Sequence, residues 1–175
     1  MSIAVVSYSL TGNNETLAVA VAKALVAEHI KISEEKPRNM GAIMLDMLLG
    51  RTPRVRPLPG VLRQYDRVIF IAPVWMGKAA SPLRAYFKYL RENPRPYAFA
   101  SLSGGALNNN PKLKDELEQL TGKKPAAFVD FHIADLLPPN PKPTAKNTGD
   151  YRINEKDTVK LAGMIVDSIK HAMGI

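Results

Sequence analysis

A cluster of hydroxyl and amide side chains follows the first apolar run of the chain, Ile3 to Val6. The segment reads SYSLTGNNETLA and opens a long helical pattern. A helix N-terminus presents unsatisfied backbone N–H groups and a partial positive charge, so neighbouring hydroxyl and amide groups can complete a phosphate site. Gly12 lets the backbone turn where a β-carbon would collide with the anion. The donors expected around a phosphate are Ser9, Thr11, Asn13, Asn14 and Thr16.

The kind of phosphate follows from the loop type. The loop has neither the GK[ST] ending of a nucleoside-triphosphate loop nor the GxGxxG pattern of a dinucleotide loop. Its neutral donors favour a phosphate monoester. The alternative is that Ser9 or Thr11 only caps the helix, although capping accounts for one side-chain oxygen and the loop supplies several polar groups.

Two further loops carry groups suited to a planar ligand. The loop after the VIFIA run contains the single tryptophan of the chain, whose ring could lie against an aromatic ligand. Two successive glycines in a later loop leave backbone N–H and C=O groups open to a ligand edge. The alternative is structural, with the tryptophan in the core and the glycines in a turn. The candidate contacts are Pro73, Val74, Trp75, Met76 and Gly77 in the earlier loop, and Ser103, Gly104 and Gly105 in the later one.

Strand-like and helical patterns alternate along the chain and would position these loops. Apolar runs at residues 3–7, 68–72, 97–101 and 126–131, with a weaker one at 29–33, are separated by amphipathic helical patterns. Such alternation predicts parallel strands covered on both faces, which is a three-layer α/β sandwich. Ligands of such sheets bind outside the carboxyl ends of the strands, so we expect the three loops to converge there.

The same patterns give two further expectations. Proline and arginine predict irregular surface connections at residues 50–60 and 134–151, because proline lacks the backbone donor that helices and central strands need. The C-terminal pattern predicts a helix whose buried face holds Val159, Ala162, Val166, Ile169 and Met173.

Composition limits the class of protein. The 175 residues predict one domain, 1–175, and no apolar run has the length of a membrane span or a signal peptide, which predicts a cytoplasmic protein. Without cysteine and with three scattered histidines, we expect no metal site, and no residues of the chain are assigned as catalytic. The formal net charge of +8 could attract an acidic protein or a phosphorylated cosubstrate, or could be a solvated face.

The chain resembles the flavodoxin family over most of its length. SLTGNNETLA is similar to the STTGNTEKLA-type phosphate loop of that family, APVWMGKAASPL is similar to its PVW-type loop, and SLSGG lies where its next flavin loop belongs. The resemblance implies a five-stranded parallel sheet of order 2-1-3-4-5 that binds FMN. It places the phosphate on residues 9 and 11–14, the isoalloxazine ring beside Trp75, and the pyrimidine side of the ring at residues 103–106.

The resemblance implies either an NAD(P)H-dependent oxidoreductase of the quinone-reductase type or a one-electron carrier. The expected partner is NAD(P)H or a redox protein, and the basic charge favours an acidic one. Neither nucleic acid nor a membrane is expected, and a homodimer is left open. A second hypothesis is a non-enzymatic module of the same fold that binds a partner through its basic face. A phospho-accepting receiver or a phosphatase is disfavoured, because the strand exits at Tyr8-Ser9 and Ala72-Pro73 lack carboxylates for magnesium.

Overall fold

Strands and helices alternate along the chain in the computed structural model, which describes residues 1–35, 40–104 and 110–175. The strands are β1 (Ile3–Ser7), β2 (Glu28–Lys31), β3 (Ser33–Glu34), β4 (Val55–Arg56), β5 (Arg67–Ile71), β6 (Val74–Trp75), β7 (Lys78–Ala79), β8 (Tyr97–Ser103) and β9 (Ala127–His132). The helices are α1 (Asn13–Leu25), α2 (Met40–Leu49), α3 (Arg84–Glu92), α4 (Leu113–Thr121), α5 (Ala145–Asp150) and α6 (Glu155–Met173).

The central element is a parallel sheet of five strands in the order β2-β1-β5-β8-β9. Counted along the chain within this sheet, the order is 2-1-3-4-5, as the resemblance implied. The register places Val6 of β1 beside Phe70 of β5, and Phe70 beside Phe99 of β8. Because each neighbouring pair is parallel, the carboxyl ends of the strands lie at one edge of the sheet.

Each face of the sheet is covered by its own hydrophobic core. Phe70 of β5 points to one face, where its ring meets the rings of Tyr86 and Phe87 from α3. Its neighbours Ile69 and Ile71 point to the other face, which α1 and α6 cover. Side chains alternate along a strand with period two, so burial on both faces produces the continuous apolar runs of the sequence. The predicted three-layer sandwich is confirmed.

Residues 50–60 contain more regular structure than predicted. β4 pairs in antiparallel fashion with β3, and a 3-10 helix spans Pro59–Gln64. The hydroxyl of Tyr86 donates to the carbonyl oxygen of Pro57 at 2.7 Å, which fixes this connection to α3. The prediction of a wholly irregular segment is wrong, because a two-residue strand is too short to leave a periodic pattern.

Residues 134–151 also contain regular structure, so that prediction of an irregular segment is wrong as well. A 3-10 helix spans Ile133–Leu136, and α5 begins at a capping box formed by Thr144 and Asn147. In that box Thr144 Oγ1 accepts from the backbone N–H of Asn147 at 3.2 Å, and Asn147 Oδ1 accepts from that of Thr144 at 3.0 Å. The prolines at positions 138, 139, 141 and 143 all precede α5, so they do not interrupt it.

The buried face of α6 differs at one predicted position. Val159 is 68% exposed, and its assignment to the core is wrong. Leu161 and Ile165 lie on the buried face with the other predicted residues, whereas Val159 lies at the margin of that face, in the first turns of the helix. Within the described ranges, none of the helices has both the length and the apolar character that a membrane crossing requires.

Candidate functional site

The loop after β1 ends in a helix N-terminus that no described side chain caps. Gly12 lies immediately before α1 with a φ of 93°, a left-handed conformation that favours glycine. Its N–H donates to Ser9 Oγ at 3.0 Å, and its carbonyl oxygen accepts from the N–H of Thr16 at 2.9 Å. The N–H groups of residues 13–15 precede that first helical hydrogen bond and have no acceptor within the helix. Among the described residues no side chain caps α1 itself, so the capping alternative is realised only in that Ser9 Oγ takes the N–H of Gly12, one residue before the helix.

The side chains of Asn13 and Asn14 are buried and hydrogen bonded to distant backbone. Asn13 Nδ2 donates to the carbonyl oxygen of Tyr151 at 3.0 Å, and the N–H of Ile153 donates to Asn13 Oδ1 at 3.2 Å. Asn14 makes a matching pair with the backbone of Leu102. Each asparagine is 2% exposed. Their side-chain amides therefore fasten the loop, and the phosphate contact predicted for these residues stays a prediction that rests on their backbone N–H groups.

The loop after β5 is a tight hairpin between β6 and β7. Met76 and Gly77 form its two-residue turn with φ values of 52° and 75°, both in the left-handed region, as the twist of a short hairpin requires. Trp75 is half-buried, and its ring meets the ring of Tyr8 edge to face with centroids 5.7 Å apart. Pro73 is buried and its carbonyl oxygen accepts from the N–H of Ala80 at 3.2 Å. The Tyr8 contact brings this hairpin next to the loop after β1.

The loop after β8 begins beside both of the others. Ser103 is buried, and its Oγ accepts from the N–H of Val74 at 2.9 Å, which joins this loop to the hairpin. Gly104 is exposed, and its carbonyl oxygen accepts from the hydroxyl of Thr148. Gly105 lies outside the described residues. The predicted convergence of the three loops at the carboxyl edge is confirmed for the residues that the structure describes.

A buried polar cluster at the ends of β8 and β9 was missed by the sequence reasoning. Asp130 accepts from the Ser101 hydroxyl and, at 2.8 Å, from Asn110 Nδ2, while His132 Nε2 lies 3.6 Å from Asp130 Oδ2. The sequence did contain a signal for this cluster. Polar residues stand at every second position near the ends of both strands, and residues spaced in this way lie on one face of the sheet. Through Asn110 this cluster fixes the point where the chain returns from the third loop.

The charge next to the hairpin is predominantly positive. A cavity of about 1220 Å³ opens between α3 and α4, with the β7 residue Lys78 at its border. The acidic residues Glu92, Asp115 and Glu116 also line it. Its cationic residues are Lys78, Arg84, Lys88, Arg91 and Lys112. This cavity, which we call the basic groove, is therefore lined by more cationic than anionic side chains.

One of these acidic groups, Glu116, is partly buried. Glu116 Oε2 accepts from the N–H of Ala79 at 2.9 Å and so ties α4 to the hairpin. Burial raises the pKa of the Glu116 carboxyl, while the hydrogen bond from Ala79 and the charges of Arg84 and Lys78 offset part of that rise. Among the residues that the structure describes, no three His, Asp or Glu side chains come together as a set of metal ligands.

Comparisons with known proteins relate the chain to flavodoxin-like structures. No protein-family model and no curated protein matches the sequence. A candidate flavoprotein from Bacteroides eggerthii aligns with a TM-score of 0.65 at 15% identity, over 94% of this chain and 97% of its own. A flavoprotein from Lactobacillus acidophilus, solved in complex with FMN, aligns with a TM-score of 0.58 at 16% identity, over 77% and 95%. Oxidised flavodoxin 1 from Bacillus cereus aligns with a TM-score of 0.54 at 16% identity, over 98% and 99%. These likenesses show that the fold is flavodoxin-like.

Proposed function

We propose that this chain, with its flavodoxin-like fold, is an FMN-binding flavoprotein that holds the flavin at the carboxyl edge of the sheet. The observation that carries the proposal is the uncapped N-terminus of α1 at the same edge as the Trp75 hairpin. Phosphate monoesters bind at such a helix end, and an aromatic ring beside it suits a planar heterocycle. The FMN complex of the similar Lactobacillus protein supports the same cofactor.

The proposed contacts divide the flavin between the three loops. The hydroxyls of Ser9 and Thr11 and the N–H groups of Asn13 and Asn14 hold the phosphate, while Gly12, whose own N–H donates to Ser9 Oγ, forms the turn beside it. The hairpin residues 73–77 line one side of the flavin ring. The edge-to-face contact with the Tyr8 ring holds the Trp75 ring in place there. Ser103, Gly104 and Gly105 meet the pyrimidine side. When bound, FMN supplies the capacity to accept and release electrons, so the chain's residues need only bind, orient and shield it.

The basic groove favours an anionic electron donor. Lys78 lies both at the groove border and in the hairpin that holds Trp75, so a ligand in the groove would approach the proposed ring site. The +8 charge of the chain would attract NAD(P)H or an acidic redox protein over distances near the Debye length. We therefore propose a flavin oxidoreductase or electron carrier whose donor is one of these anions. The same groove equally favours the second hypothesis, a binding module without flavin.

The visible spectrum of the purified protein separates these proposals. A flavoprotein should be yellow as isolated, or should become so on addition of FMN followed by gel filtration. Anaerobic mixing with NADPH or NADH should then bleach an oxidoreductase directly, whereas a carrier should bleach only after a reductase is added. A protein that stays colourless after incubation with FMN would contradict the flavoprotein proposal and leave the binding module.

A further inference from the structure

We infer that residues 144–153, which we call the brace, position two loops of the proposed flavin site. These are the phosphate loop, residues 9–14 after β1, and the loop that begins at residues 103–104 after β8, which we call the ring loop. This inference rests on the proposed function and extends it to a segment that lies far from both loops in sequence. The brace consists of the N-cap Thr144, α5 and the residues up to Ile153. It forms hydrogen bonds both with Asn13 at the start of α1 and with Gly104 after β8.

The first attachment holds the start of α1. Both polar atoms of the Asn13 amide bond to the brace, Nδ2 to Tyr151 O at 3.0 Å and Oδ1 to Ile153 N at 3.2 Å. Asn13 is the first residue of α1, and its own N–H is one of the groups proposed to face the phosphate. The direction of that N–H therefore depends on how the brace holds the asparagine side chain.

The second attachment holds the start of the ring loop. The hydroxyl of Thr148 is 1% exposed, and it shares its single proton between the carbonyl oxygens of Gly104 and Ala145. A β-carbon at position 104 would lie 3.4 Å from the carbonyl oxygen of Thr148, so the two backbones are closely packed. The peptide plane after Gly104 is consequently oriented by the brace at the point where the flavin edge is proposed to bind.

The brace has anchors of its own that do not involve the loops. Its N-terminal end is closed by the Thr144 and Asn147 capping box, and at its other end the Tyr151 hydroxyl donates to Asp157 Oδ2 of α6 at 2.6 Å. The capping box lies within the brace, whereas the Tyr151 hydrogen bond ties the brace to α6, which packs on the sheet. The brace can therefore act as a reference against which both loops are held.

The alternative is that the brace only stabilises the fold, and flavin affinities separate the two roles. Thr148→Val keeps the side-chain shape and removes the hydroxyl. It should weaken FMN and riboflavin by the same factor, about threefold to tenfold for one hydrogen bond, because the ring loop serves both ligands. Asn13→Ala should weaken FMN by about tenfold or more and leave riboflavin nearly unchanged, because only FMN carries the phosphate. Thr148→Ser, which keeps the hydroxyl, should restore wild-type affinity.

The matched control is Thr158→Val. The Thr158 hydroxyl also donates to a backbone carbonyl, that of Asn154 at 2.7 Å, but it lies on α6 and touches neither loop. This variant should bind both flavins as the wild type does. The unfolding temperature of each apoprotein is recorded in parallel, so that a general loss of stability is distinguished from a change in affinity.

Amide hydrogen exchange on the wild type gives a second test that needs no variant. Linkage requires that if the brace favours flavin binding, flavin binding slows exchange in the brace, with inorganic phosphate slowing Ile153 and riboflavin slowing the residues around Thr148. Two results would overturn the inference about the brace and leave the proposed function standing. One is a wild type that binds FMN while amide exchange in the brace stays unchanged. The other is a wild type that binds FMN while Thr148→Val and Asn13→Ala bind it equally well. A wild type that binds no flavin would overturn the proposed function and the brace with it.

Discussion

Asn14 and Leu102 form a two-way hydrogen-bonded pair that joins α1 to β8 inside the protein. Asn14 Nδ2 donates to Leu102 O at 2.9 Å, and Leu102 N donates to Asn14 Oδ1 at 3.0 Å. Both residues are 2% exposed, so water cannot replace a missing partner. The Asn14 amide thus makes with Leu102 the pair of hydrogen bonds that the backbone of a neighbouring strand would make, and it fixes the start of α1 against the sheet.

Asn14→Ala should therefore destabilise the fold. It leaves a buried N–H and a buried carbonyl without partners, and each costs about 1–3 kcal/mol, so the free energy of unfolding should fall by about 2–6 kcal/mol. Urea denaturation of the apoprotein measures this. Thr16→Ala, which removes an exposed hydroxyl bonded to Gly12 O at 3.2 Å, is the control and should cost well under half as much. Equal losses for the two variants would show that the Leu102 pair contributes little.

This pair also illustrates what the sequence could predict. The alternation of apolar runs predicted the parallel sheet, because period two and period 3.6 are local properties of the chain. The placement of the three loops followed from the rule that parallel strands share a carboxyl edge. The partners of Asn13 and Asn14 could not be predicted, since they lie 138 and 88 residues away and nothing local distinguishes a buried amide from a ligand-binding one.

Shorter elements escaped prediction for a different reason. The β3-β4 ladder has two residues in each strand, and α5 has six residues, so neither spans enough of the chain to show a period. The polar cluster of Ser101, Asp130 and His132 interrupts two otherwise apolar strands, and each residue taken singly is an ordinary strand-end residue. Only the register of β8 with β9, which pairs Ser101 with Asp130, brings them together.

The partly buried carboxyl of Glu116 predicts a pH dependence of stability. Its pKa is raised in the folded state, so above the ordinary pKa of glutamate the folded protein holds a partly desolvated charge that the unfolded chain leaves in water. Glu116→Gln keeps an oxygen acceptor for Ala79 N–H and should raise the free energy of unfolding at neutral pH. The gain should shrink as the pH falls and disappear below the ordinary glutamate pKa, where both proteins are neutral at this position. Denaturation at a series of pH values checks this, and a gain independent of pH would contradict it.

The basic groove predicts a salt dependence of flavin reduction. Lys78→Gln combined with Lys112→Gln should slow reduction by NADPH or by an acidic donor protein at low salt. Added salt should slow the wild type similarly, because the Debye length falls from about 30 Å at 0.01 M to about 10 Å at 0.1 M. Lys160→Gln combined with Lys170→Gln removes the same charge from α6, on the opposite face of the sheet, and is the control. Rates that ignore both salt and the groove variant would show that the cations are a solvated surface.

The phosphate loop predicts selective loss of one ligand. Thr11 is exposed at the proposed phosphate site, and a hydrogen bond from its hydroxyl to a charged oxygen contributes about 1.5–3 kcal/mol. Thr11→Ala should therefore weaken FMN by roughly ten- to a hundredfold and leave riboflavin nearly unchanged. Isothermal titration of both ligands measures the ratio. An equal loss for riboflavin would mean that Thr11 shapes the loop and does not contact the phosphate.

Titration of the apoprotein with FMN, followed by the emission of Trp75, tests the central claim most directly. Trp75 is the single tryptophan of the chain, and its ring lies at the hairpin where the flavin is proposed to bind, so its emission reports that site without interference. The account predicts strong quenching that saturates at one FMN per chain, and the same endpoint at higher concentrations of riboflavin. Emission that stays constant while FMN is added would contradict the account.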